Sequence, residues 1–357
     1  MASVRSVAAK VGVSVATVSR ALNNHPHVDE ETRQRVIQAA GEVGYISMAA
    51  QTNVSTVIGL VYPGEIVRAD YGAFESALMI GVLRGLNEMR FDLKIISIQR
   101  DKLPGESYSQ FLRRKGLRGA ILRTFEESRS VAKAIAGENF PFVVVADRFE
   151  EPNINYVCCE SGDDSRRAVQ HLIDLGHRRI ALAIHRIPDT DHRDRRQGYE
   201  RALRENGITI DPSLMLEISG DSAGGSSLVT RLLNMPNPPT GVFLTNPLAT
   251  VGALRRCLEL GVHVPDDLSI VGFDDSDIRR HTYPPFTAVC QDAEMIGFEA
   301  ARWLSRRMSD PAGSTPSTLQ IARQTFFEIN RTTGRPPEVP IRVLPDGTRI
   351  SPAGPQE

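Results

Sequence analysis

From residue 57 onward the chain keeps one rhythm, a short apolar run of strand length followed by an amphipathic stretch of helical length, and few folds satisfy it. Apolar runs at 57–62, 93–98, 119–122 and 141–146, with a helical pattern over 77–89, make the first round. The rhythm then restarts, with helices expected at 165–175, 199–206, 226–233 and 251–260 and strands at 179–184, 214–218, 241–244 and 268–273. Strands that are apolar along their whole length are buried on both faces, as in a parallel sheet covered by helices. Two rounds predict an α/β core of two doubly wound parallel sheets. Ligands of such sheets bind beyond the carboxyl ends of the strands, so two lobes facing each other enclose a binding cleft. At 357 residues, 41% of them apolar, the chain has the material for such a core and more.

The first 46 residues follow a different, purely helical pattern. Val4, Val7, Ala8 and Val11 form one apolar stripe, with Ser3 placed to cap its start and Gly12 to end it. Ser14 caps a second helix that turns Val18, Ala21 and Leu22 inward and leaves Val15, Ala16, Ser19, Arg20 and Asn23 outward. A third helix begins at the cap Asp29, packs Val36, Ala40 and Val43, and stops at Gly44 before Tyr45. Two short helices around a glycine turn, closed by a third, make a helix-turn-helix module. Its second helix enters a DNA major groove by its N-terminal end, which nominates Val15, Ala16 and Arg20 as base readers. Arg20 suits the O6 and N7 of guanine, and the small apolar pair suits thymine methyls. Thr17, Ser19, Asn23, Asn24 and His27 suit phosphate oxygens, which set register without reading sequence.

Charge adds a constraint. Residues 1–50 carry Arg5, Lys10, Arg20, Arg33 and Arg35 against Asp29, Glu30, Glu31 and Glu42, so a single module holds DNA weakly and needs a dimer partner. Cys158, Cys159, Cys257 and Cys290 lack metal-ligand spacing and read as buried thiols of a reducing compartment. No metal, cofactor, nucleotide-loop or redox signature is present. The N-terminus lacks a signal-peptide pattern and no apolar run approaches membrane-spanning length, which predicts a cytoplasmic protein with no membrane partner.

The run Val7-Ala8-Ala9-Lys10-Val11-Gly12-Val13-Ser14-Val15-Ala16-Thr17-Val18-Ser19-Arg20-Ala21-Leu22-Asn23, then Val28-Asp29-Glu30-Glu31-Thr32-Arg33 and Gly41-Glu42-Val43-Gly44-Tyr45, resembles the DNA-binding module of the LacI/GalR (lactose-repressor type) transcription factors. The core is similar to the effector-binding core of the same family, which shares its fold with periplasmic sugar-binding proteins. The pieces that carry this likeness are His171-Leu172-Ile173-Asp174-Leu175-Gly176-His177-Arg178-Arg179-Ile180-Ala181, Arg195-Arg196-Gln197-Gly198-Tyr199, Leu268-Ser269-Ile270-Val271-Gly272-Phe273-Asp274-Asp275 and Pro284-Pro285-Phe286-Thr287-Ala288-Val289.

The resemblance implies a DNA-binding domain over 1–46, a hinge linker over 47–56, and an effector core over 57–330. Within the core it places lobe 1 at about 57–155 and 287–315 and lobe 2 at about 156–286 and 316–330, with the helix 293–308 in the first lobe and 319–329 in the second. Residues 331–357, rich in proline and glycine without apolar periodicity, are expected to be a disordered tail. The absence of leucine heptads there favours a homodimer. By the same resemblance Arg195 reaches ligand hydroxyls, Asp274 accepts from them, and Asn246 keeps one half of an Asn-Asp pair whose aspartate is replaced by Pro247. Phe74 and Phe125 are candidate stacking platforms, and Arg123, Asp147 and Arg148 lie at strand ends facing the cleft. The implied function is repression at a roughly palindromic operator, relieved by a sugar-like ligand between the lobes.

The linker departs from the family pattern, because residues 46–56 are short and contain no arginine. Val54 stands where a wedging leucine is usual, and a β-branched side chain is a poorer wedge between base pairs. Met48 or Ala49 would serve if the helix were shifted, and a linker that never orders is the other reading. One motif points to a different chemistry: Gly220-Asp221-Ser222-Ala223-Gly224 fits G-x-S-x-G and would make the chain an ester hydrolase. Asp274 and His281 follow in the right order, but no oxyanion loop precedes the motif. The segment is therefore read as a glycine-rich loop leading into a helix near Ser226, and the chain as a regulator with no enzymatic activity.

Overall fold

The computed structural model describes residues 4–22, 28–42, 55–64, 72–185, 190–310 and 313–350. It divides into two compact units, Met1–Thr56 and Val57–Glu357. The first holds α1 (Val4–Val11), α2 (Val15–Leu22) and α3 (Glu30–Glu42). Gly12 takes a left-handed φ of 76°, which lets the chain turn sharply out of α1 while its amide still bonds Ala8 O. Ser14 Oγ accepts from Thr17 N at 3.0 Å and Asp29 from Thr32 N at 2.8 Å, so the caps expected for α2 and α3 form. Val7, Ala8, Val18, Ala21, Val36 and Ala40 close the small core. Arg35 ties α3 back to α1 by donating to Val11 O at 3.0 Å. The cap expected at Ser3 and the inward Val43 lie outside the described residues.

The second unit begins with β1 (Val57–Tyr62), α4 (Gly72–Asn87), β2 (Asp92–Ser97), α5 (Tyr108–Arg114), β3 (Gly119–Arg123), α6 (Arg129–Gly137), β4 (Phe142–Val145) and β5 (Tyr156–Glu160). The next round is α7 (Gly162–Asp174), β6 (Ile180–His185), α8 (Thr190–Glu205), β7 (Met215–Ile218), α9 (Ser222–Leu233), β8 (Gly241–Leu244), α10 (Pro247–Glu259), β9 (Ser269–Asp274) and β10 (Thr287–Cys290). Then come α11 (Ala293–Ser309), β11 (Gln320–Gln324) and β12 (Phe326–Glu328). One sheet has the order β11-β5-β4-β3-β1-β2, the other β12-β10-β9-β8-β6-β7. Both have the same winding, and among the described residues of these two sheets only the β10–β12 pair is antiparallel. Helices cover both faces of each sheet, giving two apolar layers per lobe.

Glycines set the helix spacing in each lobe. A Cβ at Gly81 of α4 would fall on the backbone of α11 at Glu294, and one at Gly225 of α9 on the backbone of α10 at Ala249. Such close approach admits no side chain.

Strand pairing moves each crossing point from its expected place. β5 pairs with β4 and β11, so residues 156–160 belong to the first lobe. β10 pairs with β9, which keeps 287–290 in the second. The segment 319–329, expected wholly in the second lobe, is divided between the sheets at Thr325. For β11 the deciding partner is β5, some 160 residues away, and no local pattern reports it. Helix α11 does pack in the first lobe, as expected.

The expected tail needs a correction as well. Residues 331–350 follow the second lobe, and β13 (Arg342–Val343) and β14 (Arg349–Ile350) form a small antiparallel hairpin. Thr332 exchanges hydrogen bonds with Ile270, Gly334 O bonds His177 Nε2 at 3.0 Å, and Arg256 donates to Pro345 O at 2.9 Å. Val343 is fully buried in the second-lobe core. A few apolar residues set among prolines supply that anchor without any period. Val343→Asp is therefore expected to cost about 3 kcal/mol or more by burying an unpaired charge. Urea unfolding followed by circular dichroism checks this, and an unchanged midpoint contradicts it.

Candidate functional site

On α2, Val15, Ala16, Ser19 and Arg20 are exposed while Val18 and Ala21 are buried, so the face expected to read DNA is the open face. Val15 is 46% exposed and takes no part in the small core. The Thr17 hydroxyl lies 2.8 Å from Ser14 Oγ and belongs to the helix cap. Asn23, Asn24, His27 and Val54 lie outside the described residues.

In the second unit the strand order reverses between β1 and β3 and again between β6 and β8, and crevices open at such switch points. Tyr62 and Arg123 end the first pair, while His185 and Thr245 end the second. Arg123 is buried: its Nε donates to Glu75 at 3.2 Å, and its guanidinium lies 5.3 Å from the Phe74 ring and 4.5 Å from the Phe125 ring. Tyr62 donates to the other Glu75 oxygen at 2.7 Å. The sequence-predicted trio Phe74, Arg123 and Phe125 is thus one cluster, oriented by a carboxylate that sequence reading missed.

Asp147 and Arg148 reach across to the second lobe. Asp147 accepts from Thr124 Oγ1 at 2.8 Å, from Arg129, and from the Thr190 hydroxyl on α8. Arg148 makes a two-pronged pair with Asp194 of α8, both contacts at 2.8 Å. Burial raises the pKa of Asp194 even with Arg148 beside it. These contacts join the lobes directly.

The other expected cleft residues divide by role. Arg195 is buried, donates to Thr245 O at 2.9 Å and stacks 3.6 Å above the Phe273 ring, while its Nε has no partner. Asn246 caps α10 by accepting from Leu248 N and Ala249 N. Asp274, expected to accept from ligand, is instead occupied by Ile278 N, Arg279 N and Arg279 Nη1. The neighbouring Asp275, just past the end of β9, lines the interlobe cavity instead, together with Asp277, Asp292 and Glu294.

That cavity, about 730 Å³, lies between α4, the start of α10, the loop after β9 and the crossovers at Gln291 and Phe326. Gln291 Nε2 donates to Asp275 at 2.5 Å, and Gln291 Oε1 is buried without a partner. Burial pushes the Asp275 carboxyl up to about 6, with Arg195 and Gln291 opposing the shift.

Ser222 opens α9, Asp221 caps it by accepting from Gly224 N at 2.7 Å, and the Ser222 backbone packs where Gly252 leaves room. The G-x-S-x-G run is thus a capped helix start, four residues earlier than the expected one. All four cysteines are free and buried. Among the described residues no helix is long and apolar enough to cross a membrane.

The family model "Bacterial regulatory proteins, lacI family" matches residues 3–47. The model "Periplasmic binding protein-like domain" matches 169–326. The HTH-type transcriptional regulator DegA of Bacillus subtilis is 31% identical over 307 residues, covering 84% of this chain and 89% of that protein. The chain belongs to the lacI family. Its relatives include the HTH-type transcriptional repressor PurR of Haemophilus influenzae, 27% identical with 87% and 92% of the two chains covered. Among solved lacI-family structures, the transcriptional regulator CelR–cellobiose complex is similar with a TM-score of 0.64 at 27% identity, covering 92% of this chain and 99% of that one. The lac repressor dimer bound to operator and the anti-inducer ONPF is similar with a TM-score of 0.63 at 25% identity, covering 92% and 98%. LacI-family proteins are DNA-binding transcriptional regulators, and this one is not an enzyme.

Asp275 makes stability depend on pH. Its folded-state pKa lies above its ordinary 3.8, so its contribution is complete below about pH 4 and is lost as pH rises through about 6. Two pKa units correspond to roughly 3 kcal/mol. Asp275→Asn is expected to remove that loss, so unfolding midpoints of variant and wild type diverge more at about pH 7.5 than at about pH 4.5, with the variant the more stable at the higher value. An equal difference at both would contradict the assignment.

Proposed function

We propose that this lacI-family regulator is a cytoplasmic homodimeric repressor whose hold on a roughly palindromic operator is controlled by a sugar bound between its lobes. The observation that carries the reading is the open N-terminal face of α2, where Val15, Ala16 and Arg20 project from a helix that buries Val18 and Ala21 on its other side. Arg20 reads a guanine edge, Val15 and Ala16 contact thymine methyls, and Ser19 holds phosphate. The near-neutral module supports the dimer, since few phosphates are neutralised per copy.

For the cleft, support comes from buried groups that lack partners. Arg195 Nε is a donor and Gln291 Oε1 an acceptor, and both lie where doubly wound sheets bind ligands. CelR is described with cellobiose bound, and another LacI-family regulator, from Enterococcus faecium, with ribose bound. None of Phe74, Arg123, Phe125, Asp147 and Arg148 lines the 730 Å³ cavity itself: the two rings face the Arg123 guanidinium, and Asp147 and Arg148 join the lobes. Ligand competes with the direct interlobe contacts of Asp147 and Arg148 and so changes closure. Whatever factor the ligand changes operator affinity by, operator changes ligand affinity by the same factor.

Arg20→Ala is expected to cost about 1–3 kcal/mol per half-site, at least a tenfold loss of operator affinity, with discrimination against non-operator duplex reduced. Electrophoretic mobility shift on operator and scrambled duplexes measures both. A variant with wild-type affinity and discrimination would remove α2 from base reading.

A further inference from the structure

The chemistry of the interlobe cavity narrows the ligand class, and the inference rests on the reading of that cavity as the effector site. Its described lining is rich in acceptors. Asp275, Asp277, Asp292 and Glu294 line it, and the one lining cation is Arg279. The charge of Arg279 is already offset by Asp274 at 2.8 Å, Asp277 at 2.6 Å and Glu328 at 2.7 Å. Glu294 is paired with Arg84. Among the described residues neither Asp275 nor Asp292 has a hydrogen-bonded cation: Asp292 caps α11 through Met295 N, and Asp275 takes the neutral Gln291 amide. The charge of Arg195 is the largest offset to the burial of Asp275, ahead of the Gln291 hydrogen bond.

The orientation of Gln291 follows from Asp275. An ionised carboxylate only accepts, so the Gln291 amide turns Nε2 toward it, which leaves Oε1 buried without a donor in a residue that lines the cavity. Gln291 is only 6% exposed, and an orphaned buried acceptor is costly unless something donates to it. A ligand with several donors meets both needs. A second negative charge in the cavity would add repulsion to an already unfavourable burial of Asp275, whereas a cation relieves it. Apolar Ala73, Ile80, Leu248 and Ile278 leave room for a ring rather than a bare chain.

We propose that the cavity takes a sugar bearing a protonated amine, the ammonium meeting Asp275 and the hydroxyls donating to Gln291 Oε1 and Asp292. Sugar acids and phosphorylated sugars are excluded by the same carboxylates.

Isothermal titration of the full chain at neutral pH with D-glucosamine, D-glucose, D-glucuronate and spermidine tests this. Glucosamine is expected to bind about tenfold or more tightly than glucose, as a charge-assisted hydrogen bond allows, with no binding of glucuronate and weaker binding of spermidine. Asp275→Asn is expected to abolish the preference for the amine. Asp292→Asn, which retains a capping side chain, narrows it even if Asp275→Asn fails to fold. Glucose or glucuronate binding as tightly as glucosamine overturns the amine assignment while leaving a sugar effector standing. Spermidine binding as tightly overturns the sugar part. Binding of none of the four overturns this inference together with the effector site on which it rests.

Discussion

Three times the backbone passes from one sheet to the other, after Glu160, after Cys290 and at Thr325, and the cleft has no other covalent frame. Each passage is tied to the sheets it joins. Thr325 Oγ1 donates to Asp164 at 2.7 Å, and Gln291 N donates to Asp274 O at 2.9 Å. A hinge of this kind allows the lobes to rotate while their cores stay intact, because the few residues that change conformation lie between elements. Gln291 is both a hinge residue and part of the cavity wall. A ligand that donates to its side chain acts on the hinge without an intermediary.

The interlobe contacts show how such a molecule can be a switch. Arg148 and Asp194 form a geometrically good ion pair, yet burial penalises both charges, so the pair contributes less than its distances suggest. Asp147 likewise holds Thr190 across the gap while pairing with Arg129 of its own lobe. Contacts of marginal net worth can be exchanged for ligand contacts at small cost, which keeps open and closed arrangements within reach of one binding event. A strongly apolar interlobe surface would lock the molecule shut.

Much of the fold was legible in the sequence, and the reasons are local. Wholly apolar strands and regular helix stripes name their elements without help from distant residues, and the caps Ser14 and Asp29 mark helix starts. Lobe membership was not legible for 156–160 or 319–329, since β5 and β11 find each other across the chain. Nor was the hairpin at 342–350, anchored by the single buried Val343. At the site, Phe74, Arg123 and Phe125 do come together, but Glu75, Asp194 and Gln291 were missed because each acts through a partner far away in sequence. Asp274 ends β9, while Asp275 lies just past it and lines the cavity. A doublet cannot declare that.

Operator binding and the interlobe cleft are energetically coupled in a switch of this kind, and hydrogen exchange on the full chain measures that coupling without knowledge of the effector. Operator would be selected from a random-sequence duplex pool, and amide protection compared with and without it. Coupling of this kind alters protection at the crossovers near Gln291 and Thr325 and at the start of α8, in addition to α2. Changes confined to residues 1–56 would contradict it.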